Sequence, residues 1–329
     1  LISNKDKINK YMRISHIWKD VIKIKTTCII NNYNYSAYIT EAIDSVLKQT
    51  LKFDELIIID DGSTDNSVEI IIAKITGCNY AKLIKKSNKG QLSCFNEAFK
   101  LAEGNLIFFL DADDLYEKDY HEKVLDFYKK HPECDFLFCG KTEFGRENRV
   151  ALYNVTSCDL GYSLISTLYR KTWIGGATST LAIKRSILTK ILPLPFEDEW
   201  ITRADDCLVF GASLAGARKF FLALPLVRYR VHQNNYFYGK NHFDDYYRYS
   251  RERAIIKLFS YLVKKNNLDG NLWRLIVLEF RTQTKPYFKN YKLYLKIIWD
   301  FNLPLKKKLQ LTKKLTDSFL RKINSKRDE

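Results

Sequence analysis

Between Thr26 and Cys139 short apolar runs alternate with amphipathic stretches so regularly that few architectures remain open. Thr26–Ile30, Glu55–Ile59 and Leu106–Leu110 are too short for helices and end abruptly in polar residues, so they read as buried strands. Ala81–Ile84 reads as a weaker strand and Asp135–Cys139 as a further one. Between them, apolar positions fall at helical spacing (Ile39, Ile43, Val46 and Leu47 within 36–48), and helices are expected up to Ile75 and over Gln91–Ala102. Strands alternating with helices predict an α/β protein with a mainly parallel central sheet flanked by helices. Such sheets bind ligands beyond the carboxyl ends of their strands. The clusters Asn31–Asn34, Asp60–Asp65 and Asp111–Asp114 each follow a strand end, so they are expected to share one crevice.

The net charge of +16 on 329 residues invites a nucleic-acid reading, but its distribution argues against it. Residues 1–25 carry seven Lys/Arg against two acids, residues 241–329 carry 21 against nine, and residues 26–240 are left near −1. The seven cysteines form no Cys-x-x-Cys pair and no histidine stands at zinc-finger spacing, so reduced thiols are expected. No signal peptide is recognisable, and no apolar run approaches the roughly 18 residues of a membrane span. A cytoplasmic location is expected, with contact at the inner membrane face as a further option.

Asp111-Ala112-Asp113-Asp114 places three carboxylates within four residues at a strand end. Such a group either needs a divalent cation with hard oxygen ligands or is a solvated turn capping the next helix. Tyr116 stands where a calcium EF-hand loop needs glycine, and no Gly-x-x-x-x-Gly-Lys-Ser/Thr loop accompanies it as a Walker-B role requires. Asp60-Asp61-Gly62-Ser63 either accepts hydrogen bonds from a base or ribose, or caps a helix. Asp205-Asp206 opens an apolar helix; it is either a dipole-stabilised start or the source of a general base. Tyr33, Trp173, Trp200 and His232 either belong to the core or an interface, the commoner place for such rings, or meet a base, sugar or phosphate, and Gly175–Thr180, with Gly176, permits close approach to a ligand or forms a strand corner.

The order of these pieces resembles family 2 glycosyltransferases. The match runs through Ile29-Ile30-Asn31-Asn32-Tyr33-Asn34, Ser45–Thr50, Asp60–Asp65, Asn88-Lys89-Gly90 with Asn96, Leu110–Asp114, Asp205-Asp206 and Tyr229-Arg230-Val231-His232, and covers about residues 26–235. Two departures stand out: the family usually has Pro at Asn31 and Glu-Asp at Asp205-Asp206. The resemblance implies a GT-A fold, Rossmann-like, over residues 26–240, after a basic segment (1–25) and before a helical C-terminal appendage (241–329).

It further implies transfer of a sugar from a nucleotide-sugar donor, a UDP-sugar by base rate, to a hydroxyl with inversion. Asn31, Tyr33, Asn34, Asp60, Asp61, Lys89, Gly90, Asp111 and Ala112 would hold the donor, with Tyr33 against the base. Asp113, with Asp111 and His232, would hold Mn2+ or Mg2+ at the diphosphate. Asp206 is the favoured base, Asp205 its alternative, and Trp200 and Gly176 are expected at the donor sugar or acceptor. The acceptor would be a glycan, a lipid-linked saccharide or a protein.

In the tail, 255–259, 272–280 and 291–298 mix apolar and basic residues at helical spacing, with Pro286 and Pro304 as expected breaks. These helices are expected to pack on the catalytic domain, to join a homo-oligomer, or to lie on an anionic membrane. Competing functions are a nucleotidyltransferase or phosphatase, a nucleic-acid-binding protein and an inactive partner subunit. The missing glycine-rich loop, Leu115 beside the acidic cluster, the near-neutral 26–240 segment and the intact acidic motifs count against them in turn.

Overall fold

The computed structural model describes residues 24–146, 148–233, 244–268, 270–284 and 287–324. Most of the basic N-terminal segment, the 240/241 boundary and Pro286 lie outside the described residues. The first half follows the expected alternation: β1 (Thr26–Asn32), α1 (Ile39–Leu47), β2 (Glu55–Asp60), α2 (Ser67–Ile75), β3 (Ala81–Lys85), α3 (Gln91–Leu101) and β4 (Leu106–Asp111). β5 (Leu115–Tyr116), α4 (Tyr120–Lys130), β6 (Phe136–Gly145), β7 (Arg149–Ala151), β8 (Cys158–Gly161) and α5 (Leu164–Arg170) come next. They are followed by β9 (Leu181–Lys184), α6 (Arg185–Ile191), α7 (Asp205–Leu214) and β10 (Lys219–Val231).

One sheet runs in the order β3-β2-β1-β4-β9-β6-β10-β5, with β7 on β6 and β8 on β10. β3, β2, β1 and β4 are mutually parallel, as are β6 and β10, while β9 runs antiparallel between β4 and β6. Continuous apolar runs are needed because both faces of the sheet are buried. Ile29, Ile57, Ile59, Ile107 and Phe109 point toward α3 and α7, and Cys28, Ile30, Leu56, Ile58, Phe108 and Leu110 toward α1 and α4. β10 carries Pro225 at a register shift, where a strand tolerates the missing N–H.

Four helices complete the described chain: α8 (Asp245–Lys265), α9 (Ile276–Thr282), α10 (Phe288–Asp300) and α11 (Leu305–Asn324), the last beginning directly after Pro304. α8 inserts Ala254, Leu258, Phe259 and Leu262 into the core beside α7, where Phe259 meets Phe210 at 5.3 Å. α9, α10 and α11 share a separate core with Ile165 of α5. Among the described residues no helix is long and apolar enough to cross a membrane.

Glu279 of α9 joins these helices to α5. Its buried carboxylate accepts from the backbone N–H groups of Ile165 (2.6 Å) and Ser166 (2.9 Å) and from the Tyr294 hydroxyl (2.7 Å). Burial raises its pKa, opposed by these three donors. A folded carboxyl that keeps its proton above the unfolded value loses its stabilising contribution as pH rises from the ordinary carboxyl range through the raised value. Glu279→Ala is expected to cost about 2–3 kcal/mol in denaturant unfolding, because it leaves two buried N–H groups unpaired. Glu279→Gln is expected to cost less and to remove this group's share of the pH dependence.

Candidate active site

The carboxyl ends of β1, β2 and β4 open on a cavity of about 900 Å3. Asn31, Asn32, Tyr33 and Asn34 from the end of β1, Asp61 from β2, and Asp111, Ala112 and Asp113 from β4 all line it, as the convergence of strand ends requires. Gly90, Gln91, Trp173, Thr178, Ile201, Arg203, Asp205 and Tyr229 close the opposite walls.

Asn34 takes a left-handed backbone (φ 57°), which turns its side chain onto the neighbouring loop. Its Oδ1 accepts from the N–H of Thr64 at 2.7 Å, and its own N–H donates to Ser63 Oγ at 2.9 Å. Tyr33 is left 43% exposed at the rim, free to cover a flat ring. Asn31 Oδ1 is a buried acceptor with no hydrogen-bond partner.

The two aspartates after β2 have different duties. Asp60 is absorbed by the loop: Asn32 Nδ2 donates at 2.8 Å, and the Ser63 N–H and Oγ donate at 3.0 and 2.6 Å. It does not line the cavity, so of the pair only Asp61 reaches it. Asp61 accepts from the backbone N–H groups of Lys89 (3.0 Å) and Gly90 (2.7 Å) and pairs with Lys86. Lys89 thus contributes its backbone, while its exposed side chain is absent from the cavity wall. Gly90 has φ +83°, and an added Cβ would stand 2.3 Å from Ile201 Cα, so glycine lets α3 begin against that loop.

After β4 the acidic turn is clamped from two sides. β10 pairs with β5, and the Arg230 N–H donates to Asp114 Oδ1 at 2.9 Å while Ser179 Oγ donates to Asp114 Oδ2 at 2.6 Å. Arg230 Nε also donates to the Asp113 carbonyl (2.9 Å), and His232 Nε2 lies 2.9 Å from Asp113 Oδ2. Asp111 accepts from Gln91 Nε2 at 3.0 Å. Burial, and then the charges of Asp113 and Asp205, push the Asp111 carboxyl up to about 7 against the hydrogen bond from Asn31. Burial, and then the charges of Asp113 and Asp111, raise Asp114 well above the ordinary range.

Among the described residues no group of three or more His, Cys, Asp or Glu side chains could hold an ion by itself. A magnesium-like ion does not need such a cage, since it takes one or two carboxylates and fills its shell with phosphate oxygens and water. Asp111 and Asp113, two carboxylates on the same cavity wall, fit that demand, and His232 stands beside Asp113.

Asp205 and Asp206 exchange the places expected of them. Asp206 is 2% exposed and fully engaged: Trp173 Nε1 donates to it at 2.6 Å, Arg203 lies at 3.3 Å, and Arg251 of α8 forms an ion pair with it. Asp205 lines the cavity instead, and burial raises its pKa against the pull of Arg203 and Arg251. Trp200, expected at the sugar, does not line the cavity. It is fully buried, with the Arg251 guanidinium 4.1 Å from its ring centroid, because its large ring fills the core beneath α7. Trp173, 38% exposed, is the tryptophan on the cavity wall. Gly176 is not a wall residue either. An added Cβ there would meet Thr180 Oγ1 at 2.3 Å, so the glycine serves the corner that leads into β9.

Gln91 was not singled out by sequence, yet it links the two acidic clusters. Its Nε2 holds Asp111, and its Oε1 accepts from the Ala204 N–H at 2.9 Å. Its place just after Asn88-Lys89-Gly90, at the first position of a helix, was the available signal. Arg251 had none, because it comes from a helix 45 residues further along the chain than Asp206.

A sequence model of "Glycosyl transferase family 2" matches residues 27–192. An uncharacterized glycosyltransferase of Nostoc sp. is 31% identical over 215 residues, covering 64% of this chain and 66% of that protein. The minor teichoic acid biosynthesis protein GgaB of Bacillus subtilis is 42% identical over 104 residues, 30% of this chain and 11% of GgaB. The chain therefore spans less than two thirds of these relatives' lengths. Among solved structures, S. aureus TarS 1–349 in complex with UDP-GlcNAc superposes with a TM-score of 0.56 at 18% identity, covering 92% of both chains. Mannosyltransferase PcManGT from Pyrobaculum calidifontis, in complex with GDP-Man and Mn2+, gives 0.52 at 19% identity over 90% of this chain and 74% of that one. These two likenesses concern the fold. With the family's sequence pattern running through the strands that build the cavity, the chain belongs to glycosyltransferase family 2 and has the GT-A fold.

Proposed function

We propose that the enzyme transfers a sugar from a UDP-sugar to a hydroxyl of a surface glycan or teichoic-acid-like acceptor, with inversion and with a divalent cation. The observation that carries this reading is the composition of the cavity. Asp61, Asp111, Asp113 and Asp205 line it, and so many carboxylates would repel a nucleotide diphosphate unless a cation lay between them. The base is assigned to the Asn31–Asn34 side, where Tyr33 offers a ring and Asn31 Oδ1 an unpaired acceptor for a ring N–H or a ribose hydroxyl. UDP and UDP-GlcNAc in the TarS complexes and teichoic acid in GgaB's name support the donor base and the acceptor class.

Asp111 and Asp113 would hold Mn2+ or Mg2+, which when bound neutralises charge developing on the departing diphosphate. Tyr33 and Asp61 orient the nucleoside, Trp173 walls the sugar side, and Asp205 accepts the proton of the attacking hydroxyl from the face opposite the diphosphate. Displacement from that face inverts the anomeric carbon. Asp206 acts as a positioning residue. Its ties to Trp173, Arg203 and Arg251 fix the first turn of α7 and so the aim of Asp205.

Calorimetric titration of UDP, GDP and dTDP, with and without Mn2+, tests the reading. UDP is expected to bind tightest and to lose about tenfold or more of its affinity when Mn2+ is withheld or in Asp113→Ala, since even losing an outer-shell partner of a metal ligand typically costs about that much. Equal binding of all three nucleotides, indifferent to metal and to Asp113, would overturn it.

A further inference from the structure

Outside the cavity, the described surface gathers positive and apolar side chains on the hairpin formed by α10 and α11. Residues 287–324 hold ten Lys/Arg and two acids, and one of those acids, Asp300, is paired with Arg170. Each helix already buries a stripe: Tyr294, Ile297 and Ile298 on α10, and Leu311, Leu315 and Phe319 on α11. An ordinary amphipathic helix would be polar elsewhere. These two are not.

Leu305, Leu309, Leu320 and Ile323 are 62%, 53%, 50% and 38% exposed. Their spacing returns them to one line along α11, well away from its buried stripe. On α10, Phe288 (57% exposed) and Trp299 (45%) share a line with Lys292 and Lys296. The two lines flank the same seam. Tyr291 stacks on Phe319 at 4.9 Å, its hydroxyl meets Thr316 Oγ1 at 3.0 Å, and Phe288 lies 6.0 Å from Phe319. The stripes therefore form one outward surface, with Lys289 and Lys296 along one border and Lys306 and Lys313 along the other.

We propose that this surface docks the enzyme on an anionic phospholipid bilayer. Leucines and aromatics would enter the boundary between headgroups and acyl chains, while lysine stems reach back to the phosphates. Charge complementarity selects this occupant. A second copy would set like charges against each other, and a soluble polyanion would make no use of exposed leucines. The docking is independent of the donor and base assignments.

The test is sedimentation of the full chain with vesicles of phosphatidylcholine alone or with about 30% phosphatidylglycerol, at low and high salt. Partition is expected to be at least about tenfold higher on the anionic vesicles and to fall with salt. Lys292→Glu/Lys296→Glu/Lys313→Glu is expected to lower it about 10²-fold or more, and Leu309→Ser/Leu320→Ser roughly tenfold. Unchanged UDP affinity in both variants would show that the fold is intact. Equal partition on neutral and anionic vesicles, or variants that partition like wild type, would overturn the proposal. So would a dimer that Leu309→Ser/Leu320→Ser dissociates, or equal retention on polyphosphate that is indifferent to the leucines.

Discussion

Asp205→Asn is expected to lower kcat by about 10²–10⁴-fold, the usual worth of a general base, while donor affinity changes by no more than a factor of about three. The two carboxylates are adjacent in sequence but differ in what surrounds them. Asp206 is held by Trp173 and two arginines, so its oxygens are already occupied and turned away from the cavity. Asp205 lines the cavity, and burial raises its pKa against the pull of Arg203 and Arg251, which makes it the readier proton acceptor of the two. Asp206→Asn is expected to act differently, lowering stability and raising the KM for acceptor more than it lowers kcat. Steady-state transfer assays, with calorimetry of UDP on the same proteins, separate the two. If Asp206→Asn alone abolished turnover at wild-type stability while Asp205→Asn remained active, the base would be Asp206.

That assignment marks where the sequence stops being informative. The strands and the crevice were legible because β1, β2 and β4 are buried on both faces and end in polar clusters, a pattern local to each segment. Reversal of direction at β9 was not legible. A four-residue strand has too few positions to reveal its orientation, and only its neighbours β4 and β6 define it. β10 was equally opaque, since Lys219, Pro225, Arg228 and Arg230 break any apolar pattern. Lys219 is fully buried, donating to the carbonyls of Ile174 and Val209 at 2.8 Å each, which no local rule anticipates. At the site, Asp61, Asp111 and Asp113 were recoverable from strand ends, whereas the absorption of Asp60 by Asn32 and Ser63 depends on loop geometry. Tryptophans could be counted but not placed. Trp200 went to the core and Trp173 to the wall because α7 and α8 close over one and leave the other open.

The same closure brings Arg251 of α8 against the first turn of α7, and Arg251→Met is expected to lower both stability and turnover. Arg251 pairs with Asp206 and stacks on Trp200, so methionine keeps much of the packing volume and removes the charge. Breaking a buried ion pair from one side typically costs 3–5 kcal/mol, and Arg203 at 3.3 Å keeps part of the compensation, so a loss of about 3 kcal/mol is expected in denaturant unfolding. The stronger expectation concerns the double variant. Replacing both members of a buried pair removes the stranded charge, so Arg251→Met/Asp206→Asn is expected to be more stable than Arg251→Met alone. Its transfer activity should remain low, because Asp205 then sits on a helix start that neither Trp173 nor Arg251 holds through an ionised Asp206. Additive losses in the cycle would mean that Arg251 and Asp206 are energetically independent and that α8 covers the site without positioning it. Recovery of stability without recovery of turnover would place the ion pair between α7 and α8 in the alignment of the base.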